Sequence, residues 1–159
     1  MNALTKVLLG VFLLLSPWFL VQVWILAAAP DQAIEEMPTC SDTSSNCAHL
    51  GGGEYYRMDV TTIVLEGQSV EETKSRALDY IQDQDGDILH ESETESNYYV
   101  HFVEHTSFWF FPDDVVVSIT ADGNNSSRIE LHSESRLGAS DLGVNPERLE
   151  GLYDALASD

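Results

Sequence analysis

Val7 to Ala29 is an unbroken run of 23 uncharged residues, rich in Leu, Val and Phe, with Ser16, Pro17 and Gln22 as its main polar or helix-disturbing members. As a helix it would extend about 34 Å, enough to cross the hydrocarbon core of a bilayer. A stretch of this kind has no place on the surface of a water-soluble domain, so it divides the chain into an anchor and everything after it. Ala27-Ala28-Ala29 offers small residues of the type a signal peptidase accepts. The apolar part of a signal peptide usually spans only about 7–15 residues, however, and the longer run here favours an uncleaved transmembrane helix. Met37-Pro38-Thr39 precedes Cys40 where a lipoprotein would carry small residues. Lys6 lies before the run, and Asp31, Glu35 and Glu36 follow it, with no Lys or Arg until Arg57. The positive-inside tendency therefore predicts a single-pass protein of the cell membrane, with its N-terminus cytoplasmic and its C-terminal domain outside.

Beyond the anchor the chain is acidic. All 27 Asp and Glu residues follow Ala29, the only lysine there is Lys74, and the whole protein carries a formal charge of −20. Without a basic stripe to neutralise phosphates, nucleic acid is not an expected partner. Dense carboxylates with few lysines resemble the surfaces of proteins that work in concentrated salt, where screening tempers self-repulsion.

The sequence divides as 1–29 anchor, 30–54 acidic linker and cysteine loop, and 55–159 folded domain. The linker should hold the domain a little off the membrane. Cys40 and Cys47, the only cysteines, bound a short loop followed by Gly51-Gly52-Gly53. On the outer side of a membrane they read as one disulfide, and facing the cytoplasm as a reduced pair. Asp42 and His49 lie close by without completing a zinc pattern.

The residues 56–65 are β-branched and partly alternating, which predicts a strand. Ser69-Val70-Glu71-Glu72 has the form of a capping box opening a helix to about Gln82. A short strand is expected over 88–93 and a longer one over 98–108, then strands over 115–121 and 127–136 around an Asp122-Gly123-Asn124-Asn125 hairpin turn. Asn145-Pro146 reads as an N-cap followed by proline at the first helical position, and Leu149, Leu152, Tyr153 and Leu156 form the stripe of a last helix. The fold expected is α+β: an N-terminal transmembrane helix, then a β-α-β-β-β-β-α domain whose antiparallel sheet carries two helices on one face.

Alternation places Tyr99, His101 and His105 on the sheet face away from those helices, together with His132, Glu134 and Arg136. Histidines and carboxylates on one face can bind a divalent cation. No spacing among them is diagnostic, so the expectation is a solvated face and no metal, with His101, His105 and His132 carried as candidates. No cofactor is expected, since phosphate-loop and dinucleotide patterns are missing. Asp113 and Asp114 are adjacent and should diverge, one of them pairing with Arg136 or Arg148. Asn124 and Asn125 head two overlapping Asn-x-Ser sequons and are candidate glycosylation sites on an extracytoplasmic domain.

Three blocks resemble the family catalogued as domain of unknown function 1499. They are Cys40 to Cys47 with its Ser45-Asn46-Cys47 end, Phe111-Pro112-Asp113-Asp114-Val115, and the eleven residues from Ser135 to Asn145 that read SRLGASDLGVN. The chain departs from the usual pattern at Ser41, Ser45 and Pro146. The resemblance implies a small, often membrane-associated or exported domain and no known catalytic residue. Within it, Arg136, Asp141 and one of Asp113 or Asp114, with Asn145 at the helix start, are expected to form a polar cluster that locks the last strand to the last helix. Gly138 and Gly143 let the backbone turn between them. The function expected is a membrane-anchored interaction module that meets an envelope protein or a lipid. The alternatives are a metal-dependent or hydrolytic enzyme using the His/Glu face, or a structural envelope component. The run Phe108 to Phe111 separates them: exposed, it is an interaction patch.

Overall fold

The computed structural model describes residues 2–123 and 125–158. Its first element, α1 (Ala3–Ala28), is among the described residues the one helix long and apolar enough to span a membrane. Asn2 caps it by accepting the Thr5 N–H at 2.8 Å.

After α1 come β1 (Cys47–Gly51), β2 (Glu54–Tyr56), β3 (Val64–Glu66), α2 (Val70–Asp83), β4 (Asp87–Glu93), β5 (Asn97–His105), β6 (Pro112–Ala121), β7 (Ser126–Ser135) and α3 (Val144–Ala157). The seven strands among the described residues form one antiparallel sheet in the order β2-β1-β7-β6-β5-β4, with β3 pairing the start of β7 and β1 its end. The architecture is the expected α+β layout. The capping box is present as read: Ser69 accepts the Glu72 N–H, and the Glu72 carboxylate accepts the Ser69 N–H at 2.8 Å.

The helices α2 and α3 cover one sheet face. Alternation sends Tyr98, Val100, Phe102, Val115, Val117, Ile119, Ile129 and Leu131 toward them, where Ala77, Ile81, Leu149, Leu152 and Leu156 close a solvent-free core.

Three parts of the structure differ from the sequence reading. The residues taken as linker up to Glu54 include a hairpin, β1–β2, whose turn is Gly51-Gly52-Gly53 with all three φ angles positive. Only glycine reaches such angles without strain, so the run is a turn and not a flexible spacer. The single strand expected over 56–65 is split, because Arg57 adopts φ 56° and breaks the extended path before β3. Finally, the face opposite the helices is not solvated. Tyr99, His101, Val103, Val116, His132 and His49 are all buried on it.

The segment between α1 and Cys40 covers that face. Ile34 donates its N–H to His101 Nδ1 at 3.0 Å and accepts the Tyr99 hydroxyl at 3.0 Å. Asp31 pairs with Arg136 at 2.7 Å, and the Cys40–Cys47 disulfide pins the far end of the strap to β1. A segment expected to stand the domain off the membrane instead lies across the sheet.

Candidate functional site

The three motif blocks meet at one end of the sheet, next to α1. Asn46 donates its amide to the Ser135 carbonyl at 3.1 Å and to the Gly138 carbonyl. The Asp141 N–H reaches the Ser45 carbonyl at 3.1 Å. Gly138 and Gly143 have φ 99° and 94°, which carries the backbone from β7 round to α3.

The helix start differs from its sequence reading. Asn145 is not the N-cap; α3 begins at Val144 behind Gly143, which has no side chain to offer. Asp141 takes over, its carboxylate accepting the N–H groups of Gly143 at 3.0 Å and Asn145 at 3.1 Å. It also accepts two hydrogen bonds from Arg57, at 2.8 and 3.1 Å. Burial alone would raise the Asp141 carboxyl, but the Arg57 and backbone donors outweigh it and hold it at about 2. Asn145 instead turns inward. Its Nδ2 donates to the Asn46 carbonyl at 2.7 Å, and its Oδ1 accepts from Ser133 and Arg148.

The charges expected in one cluster are distributed over three pairs. Adjacent residues of a strand face opposite sides, so Asp113 and Asp114 part company. Asp113 faces the helices and accepts from Arg148 at 2.8 Å, and Glu104 holds the same guanidinium at 2.8 Å. Asp114 faces the strap and accepts from Arg136 through Oδ1 and Oδ2. It also accepts the Nε2–H of His101 at 2.7 Å. That proton position follows from the other ring nitrogen, which accepts from Ile34. Burial raises the Asp114 carboxyl, and the His101 and Arg136 donors more than reverse it. Arg57, the partner of Asp141, was invisible in the sequence because it sits in an irregular stretch 84 residues away.

The candidate metal face also changes character. His101 and His132 are buried and only His105 is exposed, so the three do not form an open site. His132 lies against the disulfide, 3.8 Å from Cys47 Sγ through Nε2, and its Nδ1 is 3.2 Å from Nδ1 of His49. Burial, then the neighbouring His132, lowers the His49 pKa. Asn125 is exposed at the β6–β7 turn, while Asn124 lies outside the described residues.

The turn between β5 and β6 is exposed, and it points along α1. Phe108 is 65% accessible, with Trp109 and Phe110 also open. Trp18 donates its indole N–H to the Phe108 carbonyl at 3.2 Å, and Gln22 donates its amide to the Trp109 carbonyl at 2.9 Å. Trp18 and Phe110 meet edge to face. Within the turn, the Thr106 N–H donates to the Phe111 carbonyl, the Phe111 N–H to the Thr106 hydroxyl, and the Phe110 N–H to the Thr106 carbonyl. Beside it, Leu142 is 94% accessible. Between the two loops and α1 lies an apolar cleft of about 400 Å³ whose lining includes Trp24, Trp109, Phe111, Leu137, Leu142 and Val144.

Backbone strain gathers at this end. Four non-glycine residues among those described have left-handed φ, and three of them are Arg57, Phe110 and Leu142. Each such residue costs roughly 1–3 kcal/mol, and strain of this kind clusters where a surface is held for use.

A model of the family described as "Protein of unknown function (DUF1499)" matches residues 32–156. Comparison with curated proteins gives no match.

Proposed function

We propose, for a chain that belongs to the DUF1499 family, a membrane-anchored extracytoplasmic binding module whose aromatic foot sits in the outer leaflet and takes lipid acyl chains into its apolar cleft. The observation that carries this reading is the pair of hydrogen bonds from Trp18 and Gln22 to the carbonyls of Phe108 and Trp109. Gln22 lies six residues before the end of α1 and Trp18 ten, which puts the contacts about 9 and 15 Å along the helix from its outer end. A turn at that depth meets hydrocarbon. Backbone polar groups there must be satisfied within the protein, which is what the two side chains and the internal bonds of the turn accomplish. The turn 106–111 also carries no charge in a domain otherwise dense with carboxylates.

Orientation follows from Lys6 on one side of α1 and the acidic residues on the other. The disulfide agrees with an oxidising compartment outside the cytoplasm. The acidic, lysine-poor surface is read as an adaptation to concentrated salt, so melting temperature should rise with potassium chloride well beyond the range that screens single ion pairs.

Phe108→Cys in the full chain, reconstituted into vesicles with the domain outward, tests the foot. A membrane-impermeant maleimide should label it poorly in vesicles and readily in detergent. Equal labelling in both would end the proposal. A companion Ser92→Cys on β4 should be labelled in both.

A further inference from the structure

His49 and His132 form one buried cluster beside the disulfide. The rings face each other through Nδ1 at 3.2 Å. His49 Nε2 lies 3.3 Å from Glu130 Oε1, and His132 Nε2 lies 3.7 Å from Glu134 Oε2. Two rings that meet through the same nitrogen bring two potential ligand atoms side by side, next to the sulfurs of the disulfide.

A metal ion held by both Nδ1 atoms would leave each Nε2 to carry an N–H on the side of a carboxylate, Glu130 at 3.3 Å from His49 and Glu134 at 3.7 Å from His132. Carboxylates behind ligating histidines are the usual orienting arrangement of zinc sites. The distances suit it. Tetrahedral zinc with Zn–N near 2.0–2.1 Å and Zn–S near 2.3 Å has N···N edges of about 3.3 Å and N···S edges of about 3.6 Å. Here Nδ1···Nδ1 is 3.2 Å, and Cys47 Sγ lies 3.9 Å from His132 Nδ1. Ligand atoms of Cys40, Cys47 and His132 all fall within 4.8 Å of one another, and His49 adjoins this group through its contact with His132.

We propose that reduction of the Cys40–Cys47 disulfide converts this cluster into a zinc site with Cys40, Cys47, His49 and His132 as ligands. The reductant is a dithiol. One of its thiolates attacks a disulfide sulfur and the other protein sulfur leaves as thiolate. The second thiol of the reductant then resolves the mixed disulfide, so the protein gains two electrons and the dithiol becomes a disulfide. Zinc binds the two thiolates as the thiols release two protons. The bound ion takes over the link between strap and β1 that the disulfide made. The domain is thereby pinned in either redox condition, by a covalent bond or by a metal.

Cobalt(II) is the probe, added to full-length protein in detergent after anaerobic reduction with a phosphine and removal of the excess. The reduced protein should take up one cobalt per chain with a thiolate-to-cobalt band and the strong visible bands of a tetrahedral site, and the oxidised protein none. His49→Gln should weaken binding at least about tenfold, and Glu130→Gln, whose carboxylate lies 3.3 Å from His49 Nε2, by about tenfold. No uptake by the reduced protein, uptake without the thiolate band, or equal affinity in wild type and His49→Gln would overturn the assignment. Melting of each oxidised variant beforehand confirms that it is folded, which keeps the comparison valid where His132→Gln fails to fold.

Discussion

Gln22, an amide side chain within the last two turns of the apolar helix α1, donates to the Trp109 carbonyl at 2.9 Å and so ties α1 to the turn between β5 and β6. A polar residue in such a run is costly unless it is partnered, and here the partner is a backbone group that would otherwise be stranded. Gln22→Leu makes the helix more apolar while removing this bond. We expect faster amide hydrogen exchange in Thr106–Phe111 of the nanodisc-embedded protein, with the amides of β6 and β7 unchanged. An unchanged turn would mean that Trp18 suffices alone.

Asp141 links stability to acidity. Its carboxyl sits at about 2 in the fold, against about 3.9 in an unfolded chain. A lowered carboxyl stabilises the fold fully above the unfolded value, and the contribution disappears as pH falls through 4 toward 2. The difference corresponds to roughly 2 kcal/mol. Asp141→Asn should therefore be less stable than wild type at pH 7, and the gap in melting temperature should close as the acid end of that window is reached. A gap that persists at low pH would assign the loss to packing instead.

Arg148 holds two carboxylates, Glu104 and Asp113, in a region shielded from water. One oxygen of Glu104 already lacks a partner. Arg148→Met should cost about 3–5 kcal/mol, since it leaves both charges buried and unpaired. Adding Glu104→Gln and Asp113→Asn to that variant should recover much of the loss in chemical denaturation. Failure of the triple variant to recover would show that the guanidinium matters for its bonds to Ser133 and Asn145.

Leu142 is both strained and exposed, with φ 55° and almost its full surface open. Leu142→Gly should raise stability in detergent by about 1 kcal/mol by removing a left-handed leucine. The same change should reduce the phospholipid that co-purifies with the chain, measured by phosphorus content. Increased stability with unchanged lipid would place the leucine outside the membrane contact.

Much of the helix-facing half of the domain was legible in the sequence, because its signals are local. Ser69 and Glu72 mark a helix start within four residues, and Val115, Val117 and Ile119 alternate against Ile129 and Leu131 across a short hairpin. The strap was not legible. Its contacts with Tyr99 and His101 are made by the backbone of Ile34, and main-chain groups leave no pattern in residue types. Its visible residues, Asp31, Glu35 and Glu36, are exposed and acidic, as in a linker. The candidate site was legible only in part. The motif residues were found, but their partners were not. Asp113 and Asp114 were read as alternatives, whereas opposite faces of β6 give each its own arginine. Asn145 was taken for a cap because its sequence neighbours fit one, and the three-dimensional proximity of Asn46 and Ser133 decided otherwise.

The strap also settles how the domain stands. Arg136 bonds the Ala29 carbonyl, directly after α1, as well as Asp31 and Asp114, so no slack chain separates helix from sheet. The assembly behaves as a mast stepped into a deck and not as a buoy on a line. A twist of α1 about its own axis, such as a neighbouring helix would impose, turns the whole sheet with it, and a load on the far face of the sheet is carried into α1.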